Sequence, residues 1–69
     1  MDIRDVKKNL NREVLHDGHR YLFVGCILRR HRKESRFYYE AELHDTVNGN
    51  WVVYCPLREI KEVHDESTP

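Results

Sequence analysis

Between Arg36 and His44 the chain reads RFYYEAELH, and its side chains alternate without a break. Phe37, Tyr39, Ala41 and Leu43 fall on one face; Arg36, Tyr38, Glu40, Glu42 and His44 fall on the other. A period of two over nine residues is a strand with one buried and one wet face, and it excludes a helix there. A strand of this kind needs neighbours, and the flanking segments supply them. Tyr21 to Leu28 (YLFVGCIL) is rich in β-branched and aromatic residues and apolar on both faces, as in a central strand covered on both sides. Gly25 in its middle predicts a bulge or bend. Trp51 to Cys55 is a further strand, which Pro56 ends because proline has no N–H to donate. Ile60-Lys61-Glu62-Val63 reads as a short strand, and Val14-Leu15 is a short apolar pair before the first turn, left to supply the fifth strand.

The connections carry turn chemistry. Asp17-Gly18 and Asn48-Gly49 are tight-turn dipeptides, since glycine adopts positive φ freely and Asp or Asn tolerates it. Arg29 to Ser35 (RRHRKES) is a polar hairpin tip. Pro56-Leu57-Arg58-Glu59 predicts one turn of 3₁₀ helix before the last short strand. At the other end, Asp2 is an N-cap for a helix over Ile3 to Leu10, with Asp5 completing a weaker form of the capping box. Ile3, Val6 and Leu10 lie on one face of that helix, which is two turns long and cannot stand alone.

Strand, single helical turn and short closing strand is the order used to seal an SH3-like barrel. The predicted fold class is therefore mainly β, α+β at the margin: a five-stranded SH3-like barrel with a short N-terminal helix, one domain over residues 1–63. The acidic tail over residues 64–69 is expected to be disordered. The expected core comprises Val6, Leu10, Leu15, Leu22, Val24, Cys26, Leu28, Phe37, Tyr39, Ala41, Leu43, Trp51, Val53, Leu57, Ile60 and Val63. At 69 residues this core is thin, because a chain of this size buries only about 60% of the surface it exposes when unfolded.

Lys and Arg number 12, as do Asp and Glu, so no global field draws the chain towards nucleic acid or an anionic membrane. The charge is nevertheless uneven. Five bases and one acid fall between Arg29 and Arg36, and four acids and two bases between Arg58 and the end. The charged opening MDIRDVKKNL lacks the apolar run of a signal peptide, and Tyr21 to Leu28 is too short to span a bilayer. Two cysteines do not make a disulfide framework, so the expected setting is the cytoplasm, with reduced thiols and no membrane partner.

The stretches DIRDVKKNLN, YLFVGCILRR, FYYEAELHDT and VVYCPLREIKEV together resemble small uncharacterised proteins of Firmicutes bacteria, often carried in phages and conjugative elements. The resemblance runs from Asp2 to Val63. It implies a mobile-element accessory protein and lends no functional residues.

The residues themselves point to a non-catalytic interaction module whose main partner is an unknown protein. Cys26 sits in an apolar strand, where a thiol is inert, and Cys55, near a strand end, is the more exposed thiol. No base is marked for either, and a domain this small has little room for a dry cleft. Glu40 and Glu42 share a strand face, where they are expected to meet water and bases of the neighbouring strand rather than act as an acid–base pair. Only His16 and His19 are closely spaced among candidate metal ligands, so neither a metal nor another cofactor is expected. The alternative function is nucleic-acid binding, with Arg29, Arg30, Arg32, Lys33 and Arg36 on phosphates and Tyr38 stacking on a base. Weak self-association through an open strand edge is a further option.

Overall fold

A computed structural model describes residues 1–63. The chain makes five antiparallel strands: β1 (Glu13–His16), β2 (His19–Arg30), β3 (Phe37–Asp45), β4 (Trp51–Pro56) and β5 (Lys61–Glu62). All five predicted strands are present, and the domain is mainly β with a short N-terminal helical segment. The expected acidic tail lies outside the described residues.

The strand order is β4-β3-β2-β1-β5. β4 and β5 form the two ends of the sheet and do not pair with each other. The sheet is therefore open, and the closed barrel expected from the sequence is not formed. β5 is two residues long and bonds only to Val14 and Leu15 of β1.

The helical segment splits in two. Ile3–Asp5 is a 3₁₀ turn and Val6–Asn9 a single α-turn, α1. Asp2 is the predicted N-cap: its Oδ1 accepts from the Arg4 backbone N–H at 2.8 Å. The same carboxylate receives the Arg4 guanidinium, and these hydrogen bonds hold its pKa down at about 2. Asn9 is buried, its Nδ2 donating to the Asp5 carbonyl at 2.8 Å. Leu10, with extended backbone, caps the helical run; Asn11 follows at φ 63°, and its N–H donates to the Phe23 carbonyl at 2.7 Å. Of the predicted stripe, Val6 is buried and Leu10 half-buried, whereas Ile3 is exposed.

The two turn dipeptides behave differently. Asp17 and Gly18 both have positive φ, 52° and 79°, and join β1 to β2 directly through the His16–His19 rung. That is the two-residue hairpin their chemistry predicts. The Asn48-Gly49 region is a longer loop, because β3 and β4 last pair at Asp45–Trp51. The Asp45 carboxylate organises it, accepting from the Val47 and Asn48 backbone N–H groups and from Asn48 Nδ2. The Asn48 bonds lead in pulling the Asp45 pKa below its ordinary value.

The bend in β2 falls where Gly25 suggested it. The ladder to β3 pairs Phe23 with Leu43 and then Gly25 with Glu42, leaving Val24 as the extra residue. The bulge changes which parity of β2 points inward: Tyr21 and Phe23 before it, Cys26 and Leu28 after it. Glycine is not needed for its own φ here. A Cβ on Gly25 would lie 3.9 Å from Glu42 Cβ and Oε1, an ordinary contact. Gly25→Ala is therefore expected to be neutral or stabilising by up to about 1 kcal/mol, since it restricts only the unfolded chain. Chemical denaturation measures this, and a loss of stability would place the bend in the glycine rather than in Val24.

The core is Val6, Val14, Phe23, Ala41, Leu43, Cys55, Leu57 and Ile60. Met1, Leu10, Tyr21, Cys26 and Val53 pack around it. The 3₁₀ turn Leu57–Glu59 lies against β3, and the Met1 nitrogen donates to the Leu57 and Ile60 carbonyls at 3.1 and 2.8 Å. Several expected core positions differ. Phe23 and Val14 are buried in place of their neighbours Leu22, Val24 and Leu15, which are half-buried. Leu28, Phe37, Tyr39 and Trp51 are exposed. Trp51 is 69% exposed because it forms the first rung of β4 beside the loop, away from the helix and the Leu57–Ile60 segment. Nor is β2 covered on both faces: Ile27 is exposed on the outer one.

Candidate functional site

β2 and β3 stay paired out to Arg30–Phe37, but β4 leaves β3 at Pro56–Glu40. On its other side β2 pairs with β1 only from His19 to Leu22. The rungs Leu28–Tyr39, Arg29–Tyr38 and Arg30–Phe37 thus form a two-stranded arm.

Residues opposite one another in an antiparallel ladder share a face. The inner face of the arm, continuous with the core, carries Leu28, Arg30, Phe37 and Tyr39. Leu28 is 57% exposed, Phe37 66% and Tyr39 40%. Three large apolar side chains on one end of one face form a patch, not the scatter normal for a surface. Closing the sheet would have buried them. The outer face carries Ile27, Arg29, Tyr38 and Glu40.

The basic residues singled out from the sequence all lie on the arm or its tip, but they are not equivalent. Arg29 Nε donates to Glu40 Oε1 at 2.6 Å, and Glu40 is largely buried beneath it. Arg36 pairs with Glu34. Arg30, Arg32 and Lys33 take part in no ion pair among the described residues. The tip is closed by the His31 N–H donating to the Arg36 carbonyl at 2.8 Å. Tyr38 is half-buried, its ring against His31 in an edge-on contact with centroids 6.4 Å apart. It therefore offers less free surface for base stacking than Phe37 or Tyr39 on the opposite face. Glu40 meets a base of the neighbouring strand, Arg29, as expected, though it is largely covered rather than wet; Glu42 instead contacts His44 of its own strand.

Alternation places Phe37 and Tyr39 in the core, and the apolar run Tyr21 to Leu28 places Leu28 there; the structure exposes all three. A signal against the core placement exists in the chain: β3 has nine residues and β4 six, stopped by Pro56, so β3 must outrun its neighbour. A second cleft lies between the Asp17-Gly18 turn and the last helical turn, lined by Leu15, His16, Arg58, Glu59 and Lys61 among others. Its two bases are offset by Asp17 and Glu59.

Cys55 is buried and Cys26 only half-buried, the reverse of the expected order, because Cys55 faces inward beside Ala41. Burial pushes the pKa of both thiols up, and Glu59 and Glu40 add to the rise at Cys55. Both are consequently weak nucleophiles. Among the described residues no three His, Cys, Asp or Glu side chains converge as metal ligands, and no helix is long and apolar enough to cross a membrane. In comparisons with known proteins, no family model, no curated protein and no solved structure matches this chain.

Proposed function

We propose that this domain is a non-catalytic protein-binding module, and that its docking surface is the inner face of the β2–β3 arm. The observation that carries this is the Leu28–Phe37–Tyr39 patch, exposed on a face that elsewhere forms the core. Arg30, on the same face, and Arg32 and Lys33, in the loop at the tip, have no ion pair among the described residues. The partner that fits is a protein segment with apolar side chains to cover the patch and carboxylates to meet these cations. Strand order, the bulge in β2 and the 3₁₀ turn before β5 support reading the domain as an opened SH3-like barrel. An accessory role in the cytoplasm of a cell carrying a phage or conjugative element accords with the sequence resemblance.

Protein is favoured over nucleic acid because two of the five cations are already held by Glu40 and Glu34 and the chain carries no net charge. A nitrogen-15-labelled full chain titrated with a peptide of alternating Glu and Leu or Phe tests the proposal. Amides of Leu28, Phe37 and Tyr39 are expected to shift. Phe37→Ser is expected to weaken binding tenfold or more, the scale of a buried aromatic anchor. An oligothymidylate titrated in parallel is expected to bind weakly at moderate salt. Tight oligonucleotide binding that falls steeply with salt and is lost in Arg30→Glu, with the peptide inert, would transfer the site to nucleic acid.

A further inference from the structure

The second half of β2 has a bare edge. β3 accompanies β2 along one side from Leu22 onward, and on the other Asn11 and Arg12 bond to Phe23. From Val24 to Arg30 no described strand pairs with that side. Edges of this length are ordinarily shielded by proline, brevity, a covering element, a bulge or charged side chains. Here the bulge at Val24 and the Arg29-Arg30 pair guard only the two ends of the run VGCILRR; it has no proline, and between them Ile27 and Leu28 are exposed on its two faces. A cleft at this end of β2 is lined by Ile27, Leu28, Arg29, Arg30 and Arg32, with Tyr38 of β3.

We infer that a second copy of this chain pairs with that edge, antiparallel, about a two-fold axis at Ile27. The result is a continuous six-stranded sheet, β4-β3-β2 of one copy followed by β2-β3-β4 of the other. In this register Ile27 meets Ile27, Leu28 lies opposite Cys26, Arg29 opposite Gly25 and Arg30 opposite Val24. The arginines of the two copies stand at opposite ends of the junction, so like charges do not face each other.

The Arg29–Gly25 rung selects this arrangement. Gly25 leaves the outer face bare, and Glu42 leans over it, its Oε1 3.9 Å from where a Gly25 Cβ would sit. His44 engages the other oxygen, Oε2, at 3.1 Å. Oε1 has no hydrogen-bond partner among the described residues. Arg29 of the second copy, placed over the glycine, reaches that oxygen. A guanidinium has five N–H donors, so Arg29 keeps its own Glu40 on Nε while meeting Glu42 of the other copy. Moving the register two residues one way sets Arg29 opposite Ile27 and loses Glu42. Moving it two residues the other way sets Arg29 against Phe23, where Asn11 and Arg12 already bond. A one-residue shift opposes the inner face of one copy to the outer face of the other.

Sedimentation of the full chain from about 10 µM to about 1 mM is expected to show a monomer–dimer equilibrium. Ile27→Cys is expected to cross-link symmetrically under mild oxidation, since Cα atoms of facing strand residues are within disulfide range, and Arg30→Cys is not. Gly25→Lys ties up Glu42 in its own chain and faces Arg29 of the second copy. It is expected to weaken dimerisation about tenfold or more without lowering the thermal stability of the monomer. Arg29→Glu should weaken it similarly, and the double variant Gly25→Lys/Arg29→Glu should restore it. A chain that stays monomeric throughout, or a dimer indifferent to Gly25→Lys that does not cross-link at position 27, overturns the inference. Phe37→Ser separates it from the docking proposal: the dimer persists while peptide binding is lost.

Discussion

Phe23→Ala is expected to remove about 3–5 kcal/mol of stability, whereas Phe37→Ala changes it by less than about 0.5 kcal/mol. The two phenylalanines lie on the same side of the same sheet. Phe23 is 0% exposed, however, between Leu43 and the residues that pack over the core, while Phe37 is 66% exposed at the end of the arm. Removing the Phe23 ring loses its transfer energy and leaves a cavity that strands on both sides cannot collapse to fill. A domain of 69 residues has in all about 3–10 kcal/mol to lose. The melting temperature should therefore fall by roughly 15 °C or more, or the cooperative transition should disappear. Thermal denaturation followed by circular dichroism distinguishes the pair. Equal losses at both positions would mean that the arm folds back over the core in solution.

Ile60→Ala is expected to cost about 2–3 kcal/mol, the lower part of the range for such a truncation, because a short terminal segment relaxes more readily than a central strand. Ile60 is 1% exposed and sits between the Leu57–Glu59 turn and β5. Its N–H donates to the Leu57 carbonyl at 3.2 Å, and its own carbonyl accepts from the Met1 nitrogen at 2.8 Å. It is the apolar anchor of everything that follows β4. β5 holds on by two rungs only, so its attachment to β1 depends on that anchor. Amide exchange should accelerate in the β1–β5 ladder by more than the global loss of stability, while Ala41 to Leu43 and their β2 partners follow the global loss alone. Uniform acceleration everywhere would show that β5 contributes no separately opening unit.

The local elements of this fold were legible because their signals are local. Five strands, the Asp17-Gly18 hairpin, the Asp2 cap and the bend near Gly25 follow from alternation, φ preference and side-chain hydrogen bonding within a few residues. The helix was overstated: Ile3 to Asp5 form a 3₁₀ turn, and only Val6 and Leu10 of the stripe find the core. The core was half legible. In Tyr21 to Leu28 both parities are apolar, so alternation does not choose between Phe23 and Leu22, and the bulge at Val24 reverses the parity midway. Val14 and Leu15 present the same tie. The basic hairpin was legible as charge. Which of its cations are spent internally was not, because Glu40 reaches Arg29 only through the register of β2 on β3.

The sequence by itself determined where the chain is extended, where it turns and which face of β3 is apolar, since each depends on neighbours a few residues away. Only the tertiary structure decided how far that apolar face is covered. Coverage depends on the lengths of β4 and β5 against β2 and β3, and on whether the two end strands meet. They do not, and Leu28, Phe37 and Tyr39, which would fill the inside of a closed barrel, stand on the surface instead.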